Sequence, residues 1–132
     1  MFSSPTLSGC VFRRNSAGLG GALYCGDSDP SITSCTLVEN EGAQGSSISC
    51  FDGSAPAIRH TIMAYGGPGE ALHCDGSSPY TTRSCVFANG ELNELCGTYT
   101  TSILYVNPLF CDLEAGDLTL RADSECLPEN NS

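Results

Sequence analysis

The spacing of the cysteines constrains the fold of this chain more than any other feature, because it repeats with a nearly constant period. Six of the nine cysteines form two series, which we call the first cysteine row (Cys10, Cys35 and Cys85) and the second cysteine row (Cys25, Cys50 and Cys74). Neighbouring members are one period apart, except that two periods separate Cys35 from Cys85. A fixed period of about 25 residues is typical of stacked repeat proteins, in which each unit buries its apolar face only against its neighbours.

Each repeat contains two short runs in which apolar and polar residues alternate. In the first repeat they are residues 5–12 and 22–25, with glycine, asparagine and serine between them. Such alternation between turn-forming residues predicts short strands, and the 15 glycines would destabilise any helix. Equivalent strands of successive repeats then stack about 4.8 Å apart. The sequence therefore predicts an all-β fold, a β-solenoid of about five coils of about 25 residues.

We expect a single domain over residues 1–126, followed by a polar tail over residues 127–132. The fourth repeat loses its pattern after Cys96, and a fifth, less regular repeat covers roughly residues 100–126. Because repeat-like sequence begins directly after Met1 and the tail stops without a closing element, we expect the chain to be part of a longer protein.

Stacking of equivalent positions assigns residues to inward-facing rows. One row is apolar and consists of Phe12, Leu37, Met63 and Phe87. The two cysteine rows also face inward, because a free thiol packs as a small apolar group in a narrow interior, and Thr61 takes the cysteine position of the third repeat. At equivalent turns, the side chains of Asn15 and Asn40 are placed to hydrogen-bond the backbone of the neighbouring coil.

Two motifs of the first repeat resemble those of a known class of proteins. Gly-Gly-Ala-Leu at residues 20–23 and Phe-x-x-Asn from Phe12 to Asn15 are similar to the GGA[IL] and FxxN repeats of right-handed parallel β-helix proteins in the pectin-lyase-like superfamily. The resemblance covers nearly the whole chain, and residues 107–126 resemble the terminal unit of secreted β-helix regions. It implies a right-handed helix with three β-faces, and a secreted or cell-surface protein of a bacterium, although no signal peptide is visible in this sequence.

The nine cysteines cannot all pair with one another, because their number is odd. No two lie closer than ten residues, which is unlike the spacing of zinc ligands. Stacked cysteines lie within disulfide reach, but side chains in an in-register row point the same way and give poor bridge geometry. We therefore expect mostly free thiols in the two rows, and we assign any disulfides first to the irregular C-terminal cysteines, Cys96, Cys111 and Cys126.

The charge balance excludes some partners and leaves a metal site open. Five basic against 15 acidic residues give a formal net charge of -10, which argues against nucleic acid as a partner. No apolar run approaches the roughly 18 residues of a membrane span.

Asp27, Asp52 and Asp75 each follow a cysteine of the second row by one or two residues. If they stack, a Ca²⁺ ion could bridge their carboxylates; alternatively, each aspartate stabilises its turn by bonding its own backbone. No other cofactor is indicated.

The resemblance to pectate-lyase-like enzymes raises an enzymatic alternative. It implies an arginine base beside calcium, and Arg59 and Arg83 flank the strands as the arginines for that role. An aromatic platform for sugars is not expected, because Ser49 and His73 occupy the row of the outward-facing Tyr24.

These observations favour a non-enzymatic structural or adhesive module of a secreted or surface protein, in contact with carbohydrate or with another protein. The alternative is a polysaccharide lyase or glycoside hydrolase that acts with Ca²⁺ on the β-helix surface. Exposed strands at the ends of such a stack further predict end-to-end self-association.

Overall fold

The computed structural model describes residues 4–89, 95–100 and 102–127, and these residues form strands and turns but no helix. Apart from Leu127, the polar tail predicted over residues 127–132 lies outside the described residues. Strands of successive repeats run parallel and pair side by side, so the chain winds into a β-solenoid. The all-β solenoid expected from the repeats is confirmed.

Each of the first three coils contains four strands. Coil 1 consists of β1 (Thr6–Ser8), β2 (Val11–Arg13), β3 (Ser16–Leu19) and β4 (Leu23–Gly26). Coil 2 consists of β5 (Ser31–Thr33), β6 (Thr36–Val38), β7 (Glu41–Gln44) and β8 (Ile48–Phe51). Coil 3 consists of β9 (Ala57–Arg59), β10 (Ile62–Ala64), β11 (Gly67–Pro68) and β12 (Leu72–Asp75). The described part of coil 4 has β13 (Tyr80–Thr82) and β14 (Cys85–Phe87), and β15 (Thr98–Tyr99) pairs with β13 as the start of a further turn.

Equivalent strands form four parallel sheets along the solenoid, in the orders β1-β5-β9-β13-β15, β2-β6-β10-β14, β3-β7-β11 and β4-β8-β12. The described residues therefore form about three complete coils where the sequence predicted about five, and four strand columns where the family resemblance implied three faces. The additional column is the third, whose strands have the sequences SAGL, EGAQ and GP. These strands lack apolar alternation, so the sequence pattern marked them as connections.

Two corners of each coil are built from residues in the left-handed region of backbone space. Between the first and second sheets they are Gly9, Ser34, His60 and Arg83, and between the second and third sheets they are Arg14, Glu39, Tyr65 and Ala88, all with φ between 46° and 64°. Such a residue turns the chain sharply between two short strands. Successive corner residues are 25, 26 and 23 positions apart. The corners, and not a constant repeat length, therefore determine the register.

The short step into coil 4 corrects two of the predicted rows. Ile62 pairs with Cys85, and Met63 pairs with Val86. Because neighbouring strand positions point to opposite faces, Val86 and not Phe87 continues the inward apolar row, and Cys85 lies in the outward row of Ile62. The prediction assumed a constant period, whereas the step from Met63 to Val86 is shorter than the steps before it.

The inward rows of coils 2 and 3 form most of the core. Its largest fully buried apolar side chains are Ile32, Leu37, Ile48, Ile58, Met63 and Leu72, with Cys35 and Cys50 packed among them. Burying one such side chain stabilises the fold by roughly 1.5–3 kcal/mol. The equivalent residues of coil 1, Leu7, Phe12 and Leu23, are only partly buried, because in the described part of the chain they have a neighbouring coil on one side only.

Asparagines hold the corner between the second and third sheets. Asn40 Oδ1 accepts hydrogen bonds from the backbone N and from Nδ2 of Asn15, both at 3.1 Å, and Asn40 Nδ2 donates to Phe12 O at 2.9 Å. Asn89 lies at the same position two coils later, and its Nδ2 donates to Met63 O at 2.9 Å. Asn15 and Asn40 thus bond each other directly, and Asn89 extends their row.

The C-terminal segment forms a hairpin where the sequence predicted a fifth coil. Its strands, β16 (Phe110–Asp112) and β17 (Asp117–Leu120), pair antiparallel with each other. Among the described residues, the last parallel contact of the solenoid is the bridge between Cys85 and Leu104. The prediction of a repeat over residues 100–126 is therefore wrong, because an antiparallel pair does not continue a parallel stack.

We call residues 105–127 the C-terminal strap, because they run back along the outside of the β2-β6-β10-β14 sheet. Three of its contacts with the solenoid indicate this path: a ring contact of Phe110 with Tyr65 (6.4 Å between centroids), a hydrogen bond from Arg13 Nη2 to Leu113 O (2.6 Å) and a disulfide between Cys126 and Cys85. The strap therefore reaches from coil 4 to coil 1.

The arginine that contacts the strap is itself held by a carboxylate. Arg13 Nε donates to Glu39 Oε1 at 2.7 Å, and Arg14 Nε lies 3.3 Å from the same oxygen. Burial acts to raise the pKa of Glu39, but the hydrogen bond from Arg13 and the charges of both arginines outweigh it, so the pKa lies below its usual value. A pKa lowered by folding contributes stability that is present above the usual pKa and is lost as the pH falls through the folded value.

We therefore expect Glu39→Gln to reduce the free energy of unfolding at pH 7 by about 1 kcal/mol. The difference from the wild type should shrink toward zero as the pH is lowered from 6 to 2, because Glu39 then becomes neutral in both states. Urea unfolding of the wild type and the variant at several pH values between 6 and 2 measures this difference in the free energy of unfolding. Glu41→Gln, at an exposed neighbouring position, is the control. An undiminished difference at pH 2 would contradict the assignment of the ion pair.

Candidate functional site

A row of aromatic rings lies on the outer face of the β4-β8-β12 sheet. The rings of Tyr24 and Phe51 are 5.5 Å apart between centroids, with their planes 22° from parallel, and His73 follows Phe51 at 5.6 Å. We call these three residues the aromatic row. Each comes from a different coil, so the row runs along the solenoid axis. Tyr24 is 53% exposed, whereas Phe51 and His73 are partly buried.

The aromatic row forms diagonally across the strand pairs, which corrects the prediction that no such platform exists. Tyr24 and His73 both pair in register with Ser49, as the sequence indicated. Their rings nevertheless meet Phe51, two positions beyond Ser49, because diagonal neighbours in a sheet remain within reach of aromatic side chains. Gly26 leaves room for the Tyr24 ring, since a Cβ there would lie 3.0 Å from Tyr24 Cε1. A search of diagonal as well as directly paired positions would have found the row in the sequence.

His73 connects the aromatic row to a carboxylate. Its Nδ1 lies 2.7 Å from Glu70 Oε1, three residues earlier in the chain. This contact orients the imidazole ring and becomes an ion pair when the histidine is protonated. The surface therefore combines apolar ring atoms with an adjacent carboxylate, which suits a ligand that presents both C–H and hydroxyl groups.

The three aspartates predicted as a Ca²⁺ site do not form one row. Asp27 and Asp52 occupy equivalent left-handed turn positions, with φ of 53° and 56°, and the third member of that row is Gly76. Asp75 lies one position earlier and pairs with Phe51. Among the described residues, no group of three histidine, cysteine, aspartate or glutamate side chains is arranged to hold a metal ion. The geometry of Asp27 and Asp52 agrees with the alternative role of aspartate in turns.

Arg59 and Arg83, the arginines considered for a lyase base, lie near an open corner of the solenoid. With His60, Tyr80 and Thr82 they line a shallow concavity of about 300 Å³. None of these five lining residues is acidic, so the concavity offers the arginines no carboxylate with which to bind a cation or share a proton. The lining residues therefore do not combine the arginines with the acidic residues that the lyase alternative assumes for calcium.

One cysteine of each row forms a disulfide. Cys74 of the second row is bonded to Cys96, and Cys85, predicted in the first row, is bonded to Cys126. Each disulfide thus contains one irregular C-terminal cysteine, Cys96 or Cys126, paired with a row member, and neither disulfide joins two members of the same predicted row. The free cysteines are Cys10, Cys25, Cys35, Cys50 and Cys111.

Comparison with known proteins assigns neither a family nor a function to this chain. No family model matches the chain, and no curated protein or solved structure matches it either. In the part of the chain that the structure describes, no helix has the length and apolar character needed to cross a membrane. The aromatic row is therefore the feature on which a function can be argued.

Proposed function

We propose that this chain is a non-enzymatic structural or adhesive module that contacts carbohydrate through the aromatic row. The observation that carries the proposal is the exposed ring of Tyr24, which packs against Phe51 at 5.5 Å. A ring already fixed by packing loses little conformational freedom when a ligand stacks on it. The negative face of an aromatic ring attracts the C–H groups on the apolar face of a sugar.

The repeat geometry favours a polymer as the ligand over a single sugar. The aromatic row crosses three coils along the solenoid axis, and equivalent strands are about 4.8 Å apart along that axis. A polysaccharide chain parallel to the axis meets successive coils with successive units. Each contact of this kind is weak, so the affinity depends on several of them acting together.

We place the module in a secreted or cell-surface protein of a bacterium, of the right-handed, pectin-lyase-like β-helix type. The support is the motif resemblance at residues 12–23 together with the parallel solenoid. The net charge of -10 suits an exposed, solvated surface. The partly buried apolar residues of coil 1 support end-to-end contact between copies. The proposal does not include lyase or hydrolase activity. Among the described residues, the aspartates form no group that could hold a metal ion, and no acidic residue lines the concavity of Arg59 and Arg83.

Tyr24→Ala tests the proposal directly. We expect the wild type to be retarded by at least one polysaccharide in native gels cast with a panel of neutral and acidic polymers. The variant should lose about tenfold in affinity, because a stacking contact of an exposed ring contributes on the order of 1.4 kcal/mol.

Tyr80→Ala is the matched control, because Tyr80 is 42% exposed but lies on the first sheet. It should bind as the wild type does. Unchanged binding by Tyr24→Ala, or an equal loss in both variants, would exclude the aromatic row as the site. No retardation by any polymer would contradict the proposed function, and shortened or unsaturated products in the incubations would identify an enzyme instead.

A further inference from the structure

A cleft of about 390 Å³ lies between the solenoid and the C-terminal strap. Its floor is the outer row of the second sheet, in which Ile62 pairs in register with Thr36 on one side and with Cys85 on the other. The strap contributes the opposite wall through Leu120 and Leu127. A volume of this size lies within the range of small-molecule sites, about 300–1,000 Å³. We call this cavity the strap cleft.

The strap cleft is bounded by a disulfide at coil 4. Cys85 and Cys126 both line it and are bonded to each other, so the sheet and the strap are covalently joined at that end. Val11 continues the floor row in coil 1, where it is 58% exposed and does not line the cleft. This geometry favours a ligand that lies along the sheet, with an apolar body between Ile62 and Leu120.

Two basic residues border the strap cleft at the corner between the first and second sheets. His60 and Arg83 occupy equivalent corner positions of coils 3 and 4, with φ of 48° and 46°, and both line the cleft. Arg59 pairs in register with Thr82, so the next two positions, His60 and Arg83, are neighbours at about the 4.8 Å spacing of the strands. They bring N–H donors and positive charge to one side of the cavity.

Arg83 has no carboxylate partner in the part of the chain that the structure describes. Arg13, Arg14 and Arg121 each form an ion pair with a glutamate or an aspartate, whereas Arg83 forms none. None of the residues that line the strap cleft is acidic either, although the net charge of the chain is -10. The guanidinium of Arg83 therefore offers its two parallel N–H donors to a carboxylate from outside the protein.

We propose that the strap cleft binds a small carboxylic acid with an apolar body of about ten carbon atoms. Arg83 holds the carboxylate, and His60 donates a further hydrogen bond from its ring. The body lies between Ile62 and the leucines of the strap. The cleft has the volume of roughly a dozen water molecules at about 30 Å³ each, which sets the size of the ligand. The aromatic row lies on another sheet, so this site does not depend on carbohydrate binding.

Isothermal titration calorimetry with three amphiphiles of equal chain length tests the proposal. The probes are decanoate, 1-decanol and decylammonium, which are negative, neutral and positive. We expect decanoate to bind at one site and at least about tenfold more tightly than decanol, because only the carboxylate pairs with Arg83. Non-specific attraction to a chain of net charge -10 favours decylammonium, so a preference for the anion requires a local site.

Three variants separate the contribution of charge from that of the apolar walls. Arg83→Gln should weaken decanoate binding about tenfold and leave decanol binding unchanged, because it removes only the charge. Ile62→Ser should weaken the binding of both probes, because it removes apolar surface from the floor. Arg59→Gln is the matched control, because it changes the net charge equally at an exposed residue that lines the neighbouring concavity but not the strap cleft. It should bind decanoate as the wild type does.

Chemical-shift mapping locates the bound decanoate. We expect the largest amide shift changes at Thr36, Ile62 and Leu120. Changes confined to other sheets would overturn the proposal, as would the absence of decanoate binding, equal affinity for decanol, a preference for decylammonium, or equal losses in Arg59→Gln and Arg83→Gln. Where circular dichroism shows that a variant fails to fold, the three-probe comparison and the shift map of the wild type decide.

Discussion

Cys35→Asp is expected to unfold the chain. Cys35 is 1% exposed, and its sulfur lies 3.5 Å from Leu7 O and 3.4 Å from Thr33 O. Both neighbours are hydrogen-bond acceptors, which repel a carboxylate. An unpaired buried charge costs several kcal/mol, which is of the same order as the whole stability of a small domain, about 5–15 kcal/mol.

Circular dichroism and urea unfolding measure this effect, with Val11→Asp as the matched control. Val11 is 58% exposed on β2, so the same introduced side chain should change the free energy of unfolding by less than about 0.5 kcal/mol. Cys35→Ser separates loss of the thiol from burial of a charge and should leave the chain folded. A wild-type unfolding curve for Cys35→Asp would mean that this residue does not face the core.

Asn40→Ala is expected to lower the free energy of unfolding by about 3 kcal/mol. The amide is 1% exposed, accepts two hydrogen bonds from Asn15 and donates one to Phe12 O. Alanine removes all three bonds and leaves the partly buried Phe12 carbonyl without its donor, which costs more than the loss of a bond exposed to water. A loss of this size should lower the melting temperature on the order of 10 °C.

Asn15→Ala provides the comparison within the same row, because Asn15 is exposed in coil 1. Alanine removes only the bond from Nδ2, since the backbone N still donates to Asn40 Oδ1, and the site is open to water, so we expect a cost below about 1 kcal/mol. Calorimetry of both variants measures the difference. Equal losses would show that the stability at this corner comes from packing of the side chain and not from its buried hydrogen bonds.

The cysteine period was sufficient to predict parallel stacking, but not the number of strands in a coil. Residues around Leu7 and Leu23 alternate in polarity and were correctly predicted as strands, although a corner at Gly9 divides the first run, residues 5–12, into β1 and β2. The third strand of each coil contains residues such as Gly42 and Pro68, which have no alternation to distinguish them from a loop. Their pairing follows from the neighbouring coils and not from their own sequence.

The register errors in coil 4 share one physical cause. Tyr65 and Ala88 both adopt φ of 55° at equivalent corners, which are closer together in the chain than the corners of the earlier coils. Side chains other than glycine, asparagine and aspartate rarely mark such a conformation in a sequence, so the corners were not visible as reference points. A count from the cysteines consequently placed Cys85 and Phe87 one position out of register.

The candidate site was missed for a different reason. The outward direction of Tyr24 followed from alternation, but its contact with Phe51 depends on the ring tilting over the space left by Gly26. Assigning residues to rows by their position in the repeat considers only side chains that lie directly opposite one another on paired strands. Large rings extend beyond that position, so diagonal contacts emerge only when side-chain length is considered.

The C-terminal strap changes the kind of unfolding transition available to this repeat protein. In an open stack each coil depends only on its neighbours, so the ends fray while the middle persists. Here Arg13 bonds Leu113, 100 residues further along the chain, and Cys85 is tied to Cys126. We therefore expect loss of coil 1 to loosen the last segment as well, so that the molecule unfolds more cooperatively than an open stack. We also expect it to fold slowly, because contacts between distant parts of a chain form late.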